Sequence, residues 1–158
     1  MPVDASSSRG AKPFTVRQVA WSEAIDGLRH VRRTVFIDEQ SIPEDMEWDE
    51  SDPVSRHALA EDVGGKAIGC GRLLADGTIG RLAVLSAWRA RGVGSALLQS
   101  LVELARVRGH RQVRLNSQTR AMPFYERHGF AAYGDEYMEA GIPHRAMARD
   151  IRDASAQD

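Results

Sequence analysis

The sequence predicts an α+β fold, a mixed α/β layer in which a single twisted, mostly antiparallel sheet is flanked by helices. Three observations carry that prediction. Two turn signals, Gly64-Gly65 and Asp76-Gly77, separate three short strand-like runs, the pattern of an antiparallel meander. A helix-period stripe, Val93, Leu97, Leu98, Leu101, Leu104 and Ala105, opens at a glycine-rich turn and stops at Gly109. The full order reads β, α, three strands, α, β, α, two strands, which buries its apolar faces as one sheet with helices against it.

Residues 14–19 alternate apolar and polar side chains and suit a first strand. A helix follows over 21–36, with Ser22 as its cap and Ile25, Leu28, Val31, Val35 and Phe36 near one face. Residues 38–52 are acidic and irregular. Strands are expected over 57–61, 67–74 and 78–85, and the long helix over 92–108. A short strand at 113–116 precedes a short helix at 122–128, ended by Gly129. Strands at 130–133 and 145–151 close the chain, with Gly141-Ile142-Pro143-His144 in the connection between them.

At 158 residues the chain fits one domain, over 14–152, with a disordered leader at 1–13 and a disordered tail at 153–158. A net charge of −1 argues against a generally basic nucleic-acid binder. One cysteine, Cys70, excludes an intramolecular disulfide. No apolar run approaches the roughly 20 residues of a membrane span. The leader has no apolar core and does not read as a signal peptide, so the expected location is the cytoplasm. The five histidines show no i, i+4 pair and no clustering with Cys70, so no metal site is expected.

The turn Arg89-Ala90-Arg91-Gly92-Val93-Gly94 lies between a strand-like run and the long helix. A helix start carries backbone N–H groups with no internal partner and the positive end of the helix dipole. Glycines there let the backbone close on a bulky anion, and Arg89 and Arg91 add cationic charge. The two common phosphate motifs fail: Leu97 stands where a dinucleotide fingerprint wants its third glycine, and no lysine follows Lys66. Two readings remain: a cradle for phosphate or pyrophosphate, which the two arginines favour, and a glycine helix start that holds no ligand.

Arg89-x-x-Gly92-x-Gly94, after Gly80-Arg81-Leu82-Ala83-Val84, resembles the acetyl-CoA signature of the GNAT N-acetyltransferases. A second segment, Ala121-Met122-Pro123-Phe124-Tyr125-Glu126-Arg127-His128-Gly129-Phe130, resembles that family's Phe-Tyr-x-x-x-Gly-Phe element. The similarity runs over about 14–151, and Val35-Phe36-Ile37-Asp38-Glu39-Gln40 with Gly141-Ile142-Pro143-His144 looks like the ElaA-type branch. The resemblance implies a GNAT-like fold and an acetyl-CoA-dependent transfer of an acetyl group to a primary amine on a small molecule or peptide. It implies that Leu82, Ala83 and Val84 present backbone groups to the pantetheine arm, one of them steadying the thioester oxyanion. It further implies that Arg89, Ala90, Arg91, Gly92, Val93, Gly94 and Ser95 hold the pyrophosphate, that Asn116 and Gln118 touch the arm, and that Tyr125 protonates the departing thiolate. A homodimer is expected from family habit.

An ammonium must lose a proton before it attacks, so a base is needed. Residues 38–52 hold eight acidic residues and no Lys or Arg, and they follow the first helix, where the family builds its acceptor site. They are expected to form an acidic lip that attracts a cation. Glu39 is the leading base candidate and His144 the second, with His57 and Asp49 behind them. Trp48 is either a pocket wall or a loop anchor. Cys70 is expected to be a small buried residue rather than an acyl-carrying nucleophile. Two rival readings stay open: a non-catalytic CoA-binding sensor or regulatory module, and a transferase for a longer acyl-CoA, against which the bulk of Leu82 and Val84 argues.

Overall fold

The computed structural model describes residues 13–152. The expected tail at 153–158 and all but the last residue of the expected leader at 1–13 lie outside the described residues. Among them the strands are β1 (Phe14–Ala20), β2 (Arg56–Asp62), β3 (Ala67–Leu73), β4 (Ile79–Val84), β5 (Gln112–Gln118), β6 (Ala131–Glu139) and β7 (Ile142–Asp150). The principal helices are α1 (Ile25–Arg32), α2 (Glu44–Glu47), α3 (Val93–Val107) and α4 (Met122–Arg127). The strands form two antiparallel sheets, ordered β1-β2-β3-β4 and β5-β7-β6. The single sheet expected from the sequence is therefore divided between β4 and β5.

Alternation along β2 and β3 sends neighbouring residues to opposite faces. Ala58, Ala60 and Leu73 join a core packed on α3, as does Ile68, where a register shift opposite Ala60 and Glu61 breaks the alternation, while Leu59 and Cys70 join a second core under α1 with Leu28, Val31 and Val35. The four-stranded sheet is thus sandwiched between α1 and α3. Close approach of α3 depends on Gly71: a Cβ there would lie 2.7 Å from Leu101 Cδ1. Leu101 is itself fully buried, and truncating such a side chain costs about 2–5 kcal/mol.

Three local expectations change. Ser22 does not cap α1; it sits in a 3-10 turn, Trp21–Glu23, and Glu23 instead accepts a hydrogen bond from the Ala20 N–H. Beyond Arg32 the helix widens into a π-helical segment, Arg33–Glu39, in which the Gln40 N–H reaches back to the Val35 carbonyl. Gly141-Ile142-Pro143-His144 is not a loop. β6 and β7 form one long hairpin that turns at Ala140 (φ 52°) and Gly141 (φ 76°), the left-handed pair of a type I′ turn. Pro143 is tolerated because β5 ends at Gln118, opposite His144, so β7 has a single neighbour where the proline sits.

The segment after the π-helix folds around one buried cation. Arg32, 1% exposed, donates from Nε to Glu47 Oε2 at 2.7 Å and from Nη1 to Asp52 Oδ1 at 2.6 Å. Arg72 Nη1 donates to Asp49 and Asp52 at 2.8 and 3.0 Å, and Arg81 pairs with Glu47 at 3.1 Å. Three guanidinium groups therefore face three carboxylates. Burial raises the Asp52 carboxyl, but bonds from Arg32 and Arg72 outweigh it and hold the group below its ordinary range. For Glu47 burial prevails over Arg81 and Arg32, so the two carboxylates are driven apart.

Removing one partner from such a network leaves the others charged and unpaired, which costs about 3–5 kcal/mol. Arg32→Ala should lower the unfolding free energy by that amount in urea titration. A loss below about 1 kcal/mol would show the network to be no stronger than an exposed pair.

Candidate active site

β4 and β5 begin side by side. Thr78 bridges Arg114 in parallel, and the Arg114 N–H donates to the Gly77 carbonyl at 3.2 Å. Beyond that point, among the described residues, β4 pairs with β3 and β5 with β7. The parting strands open a cleft of about 710 Å³, walled by the π-helical segment, β4, β5, α4 and the start of β7. A bulge lies in β4 beside the split: Cys70 pairs with Ala83 but Arg72 pairs with Gly80, so Arg81 and Leu82 stand opposite Gly71. Arg81 takes φ 51° there and turns its guanidinium into the buried ionic network. Sequence reading missed this role, since only the register slip reveals it.

The glycine turn leads into α3 as expected, one residue later. Ala90 (φ 62°) and Gly92 (φ 88°) are left-handed. Gly92 is the N-cap, with no side-chain cap, and the first intrahelical bond runs from the Ala96 N–H to the Gly92 carbonyl. The amides of Val93, Gly94 and Ser95 thus have no helical acceptor. A Cβ at Gly92 would meet nothing within 4 Å, so the space before the helix is open. These features fit a bulky anion held by main-chain N–H groups.

Of the seven residues assigned to the cradle, Arg89 and Gly94 line the cleft; Ala90, Arg91, Gly92, Val93 and Ser95 do not. Val93 is core, Arg91 lies over the Trp88 ring at 5.1 Å, and Ser95 Oγ is 3.0 Å from His128 Nε2. Leu82, Ala83, Val84, Asn116 and Gln118 all line the cleft. Gln118 is engaged on both sides: its Nε2 donates to Gln40 at 2.7 Å, and its Oε1 accepts from Arg120 at 3.1 Å. Arg120 carries no sequence signal, and Gln40 appears in the sequence only within the Val35-to-Gln40 segment of the resemblance, with no role of its own.

Tyr125 also lines the cleft, wedged edge-on between Phe124 and Phe130. Burial pushes its phenol up to about 12. His144, 8% exposed, reaches the same cleft and stacks on Tyr137. Its Nδ1 lies 2.7 Å from the Ile142 carbonyl. A carbonyl only accepts, so Nδ1 carries the hydrogen, and the neutral ring's lone pair is on Nε2. Glu39 lines the cleft in a bidentate pair with Arg89, at 2.6 and 2.7 Å. That hydrogen bonding, opposed by slight burial, holds its carboxyl below the ordinary range, which weakens it as a base.

The acidic lip is largely neutralised. Glu39, Glu44, Glu47, Asp49 and Asp52 are paired with arginines, which leaves Asp38, Asp45 and Glu50 of the eight. His57 is buried away from the cleft, and its Nε2 donates to the Asp52 carbonyl. Trp48 is the loop anchor, with the Arg29 and Arg32 guanidinium groups 4.8 and 5.0 Å from its ring centre. Cys70 is 1% exposed, and burial pushes its thiol up to about 12, which removes it as a nucleophile. Among the described residues no cluster of His, Cys, Asp or Glu is placed to hold a metal, and no helix is long and apolar enough to cross a membrane.

Residues 18–151 match the model of the acetyltransferase (GNAT) domain. The chain is 38% identical over 132 residues to an uncharacterized N-acetyltransferase of Bacillus subtilis, YjcF, covering 81% of this chain and 94% of that one. The crystal structure of an acyl-CoA N-acyltransferase from Pseudomonas aeruginosa superposes with a TM-score of 0.76 at 30% identity, covering 86% of this chain and 99% of that one. Escherichia coli ElaA superposes with a TM-score of 0.77 at 28% identity, over 87% and 99%. An open helix start beside two parting strands, found in a chain that matches this model nearly end to end, leads to one conclusion: the protein belongs to the GNAT acetyltransferase family.

Proposed function

We propose that the protein, as a single domain over 14–152, transfers an acetyl group from acetyl-CoA directly to the primary amine of a small molecule or peptide. The observation that carries this reading is the convergence of Tyr125 and His144 on one cleft whose outer end is the uncapped start of α3. The family's donor, an acetyl- or other acyl-CoA, supplies an acyl group already activated as a thioester. The amides of Val93, Gly94 and Ser95 bind its pyrophosphate, and Arg89 adds charge. The unpaired edge of β4 at Leu82, Ala83 and Val84 offers N–H groups to the arm and to the thioester oxygen as it gains charge.

His144 removes the amine proton through Nε2, since Ile142 fixes the tautomer. Tyr125, protonated throughout the physiological range, gives its proton to the sulfur as it leaves. A non-catalytic sensor would need neither group in the cleft, so their presence favours the enzyme. The cleft wall carries Arg72, Arg81, Arg89 and Arg120 against Glu39, Glu47 and Glu139. That balance gives no anionic funnel, which supports a small amine over a polycation. The bulk of Leu82 and Val84 favours acetyl over longer acyl groups. Family habit supports a homodimer, and the composition supports the cytoplasm.

Calorimetric titration with acetyl-CoA tests the cradle. The native chain should bind, and Gly92→Trp, which fills the open space before α3, should lose at least tenfold in affinity. Thermal unfolding of the variant separates this from misfolding, because a non-glycine residue at φ 88° itself costs about 1–2 kcal/mol. No binding by the folded native chain would sink the acetyltransferase reading.

Tyr125→Phe should lower kcat about 10²-fold or more with the KM for acetyl-CoA little changed. The phenol works as an acid while protonated, and that form is lost only as pH rises toward about 12. The native pH–rate profile should therefore show no fall from Tyr125 ionisation below about pH 10. An unchanged kcat in the variant would remove Tyr125 from the chemistry. His144→Gln should likewise cut kcat about 10²-fold, with the fold retained in circular dichroism. Retained activity would move the base elsewhere.

A further inference from the structure

Glu39 and Arg89 meet across the mouth of the cleft. Glu39 ends the π-helical wall, and Arg89 opens the anion cradle. The two residues are 50 apart in the chain, so the pair ties separate segments together. Beside it, Gln40 accepts a hydrogen bond from Gln118, the last residue of β5. Two adjacent residues of the wall are thereby fastened to both margins of the slot, one beyond β4 and the other on β5.

We propose that these contacts form a latch: an acyl-CoA seated in the cradle takes Arg89 from Glu39 and releases the 33–39 wall, so that the acceptor end is completed after the donor binds. The inference rests on the acyl-CoA reading above. Arg89 has a fixed aim, because its Nε donates to the Val84 carbonyl at 2.9 Å. Its two outer nitrogens are occupied by the Glu39 carboxylate. A diphosphate carries more negative charge than one carboxylate and fits the same planar fork. A carboxylate left beside it would face like charge at close range.

The pair is well placed to be exchanged. Both side chains are partly exposed, at 42% for Arg89 and 39% for Glu39, and such pairs are individually weak. The wall itself is a π-helix, a hydrogen-bond arrangement less favourable than the α-helix and commonly found at functional sites. Glu39 therefore acts as a positioning residue through Arg89, and its own carboxylate is freed when the donor is bound.

Glu39→Gln keeps the size of the side chain and removes the competing charge. Titrated with acetyl-CoA at low ionic strength, this variant should bind about three- to tenfold more tightly than the native chain. In the native chain, acetyl-CoA should also speed amide exchange over residues 37–42, where the latch opens. Equal or weaker binding by the variant, or slower exchange over 37–42 in the native chain, would overturn the latch while leaving the acyltransferase reading intact. Absence of acetyl-CoA binding in both proteins would overturn the two together.

Discussion

The parallel contact between Thr78 and Arg114 is the hinge point on which the binding cleft depends. It holds two sheets together at one end and leaves them apart at the other. Backbone N–H and C=O groups along the facing edges of β4 and β5 then lack the strand partner that a continuous sheet would supply. Elsewhere in a protein this would be a liability. Here it leaves backbone hydrogen-bonding groups at fixed spacing along the cleft, where the arm of the proposed acyl-CoA would lie. The uncapped start of α3 lies at the open end of the same gap, so one topological decision sets an open slot and a free helix start side by side.

The opposite wall is held by a different force. Arg32, Arg72 and Arg81 draw the 44–52 segment against the sheet, so that a stretch expected as an acidic lip is folded inward. A buried ionic network gives little net stability, because desolvation offsets most of its attraction. It does impose geometry, since each guanidinium accepts few arrangements of carboxylates. Arg81 connects the two walls: it stands at the bulge of β4, on the edge of the cleft, and pairs with Glu47 of the 44–52 segment.

Much of this was legible in the chain itself. Gly92 and Gly109 bracket α3 because the conformations they adopt, at φ 88° and 89°, suit glycine above other residues, a constraint that sequence displays openly. The stripe of α3 needed only its period. The arginine network was hidden because its members are 15 to 34 residues apart in sequence, and no local pattern pairs Arg32 with Asp52 or Arg81 with Glu47. Glu39 shows the same blindness: a carboxylate at a helix end invited a role as base, whereas its partner lies 50 residues away. Gly141 and Pro143 read as breakers, which puts His144 in a connection between strands. The hairpin accepts both, the glycine in its turn and the proline beyond the end of β5.

The single cysteine of the chain lies beneath the bulge, its thiol directed to the Arg81 carbonyl and pushed far from ionisation by burial. Thiolates are the species that attack thiol reagents, and at neutral pH this protein presents almost none. A chromogenic disulfide added during turnover would therefore report the thiol of released CoA and nothing from the folded chain. The burial that keeps Cys70 out of the chemistry makes the reaction directly visible by colour.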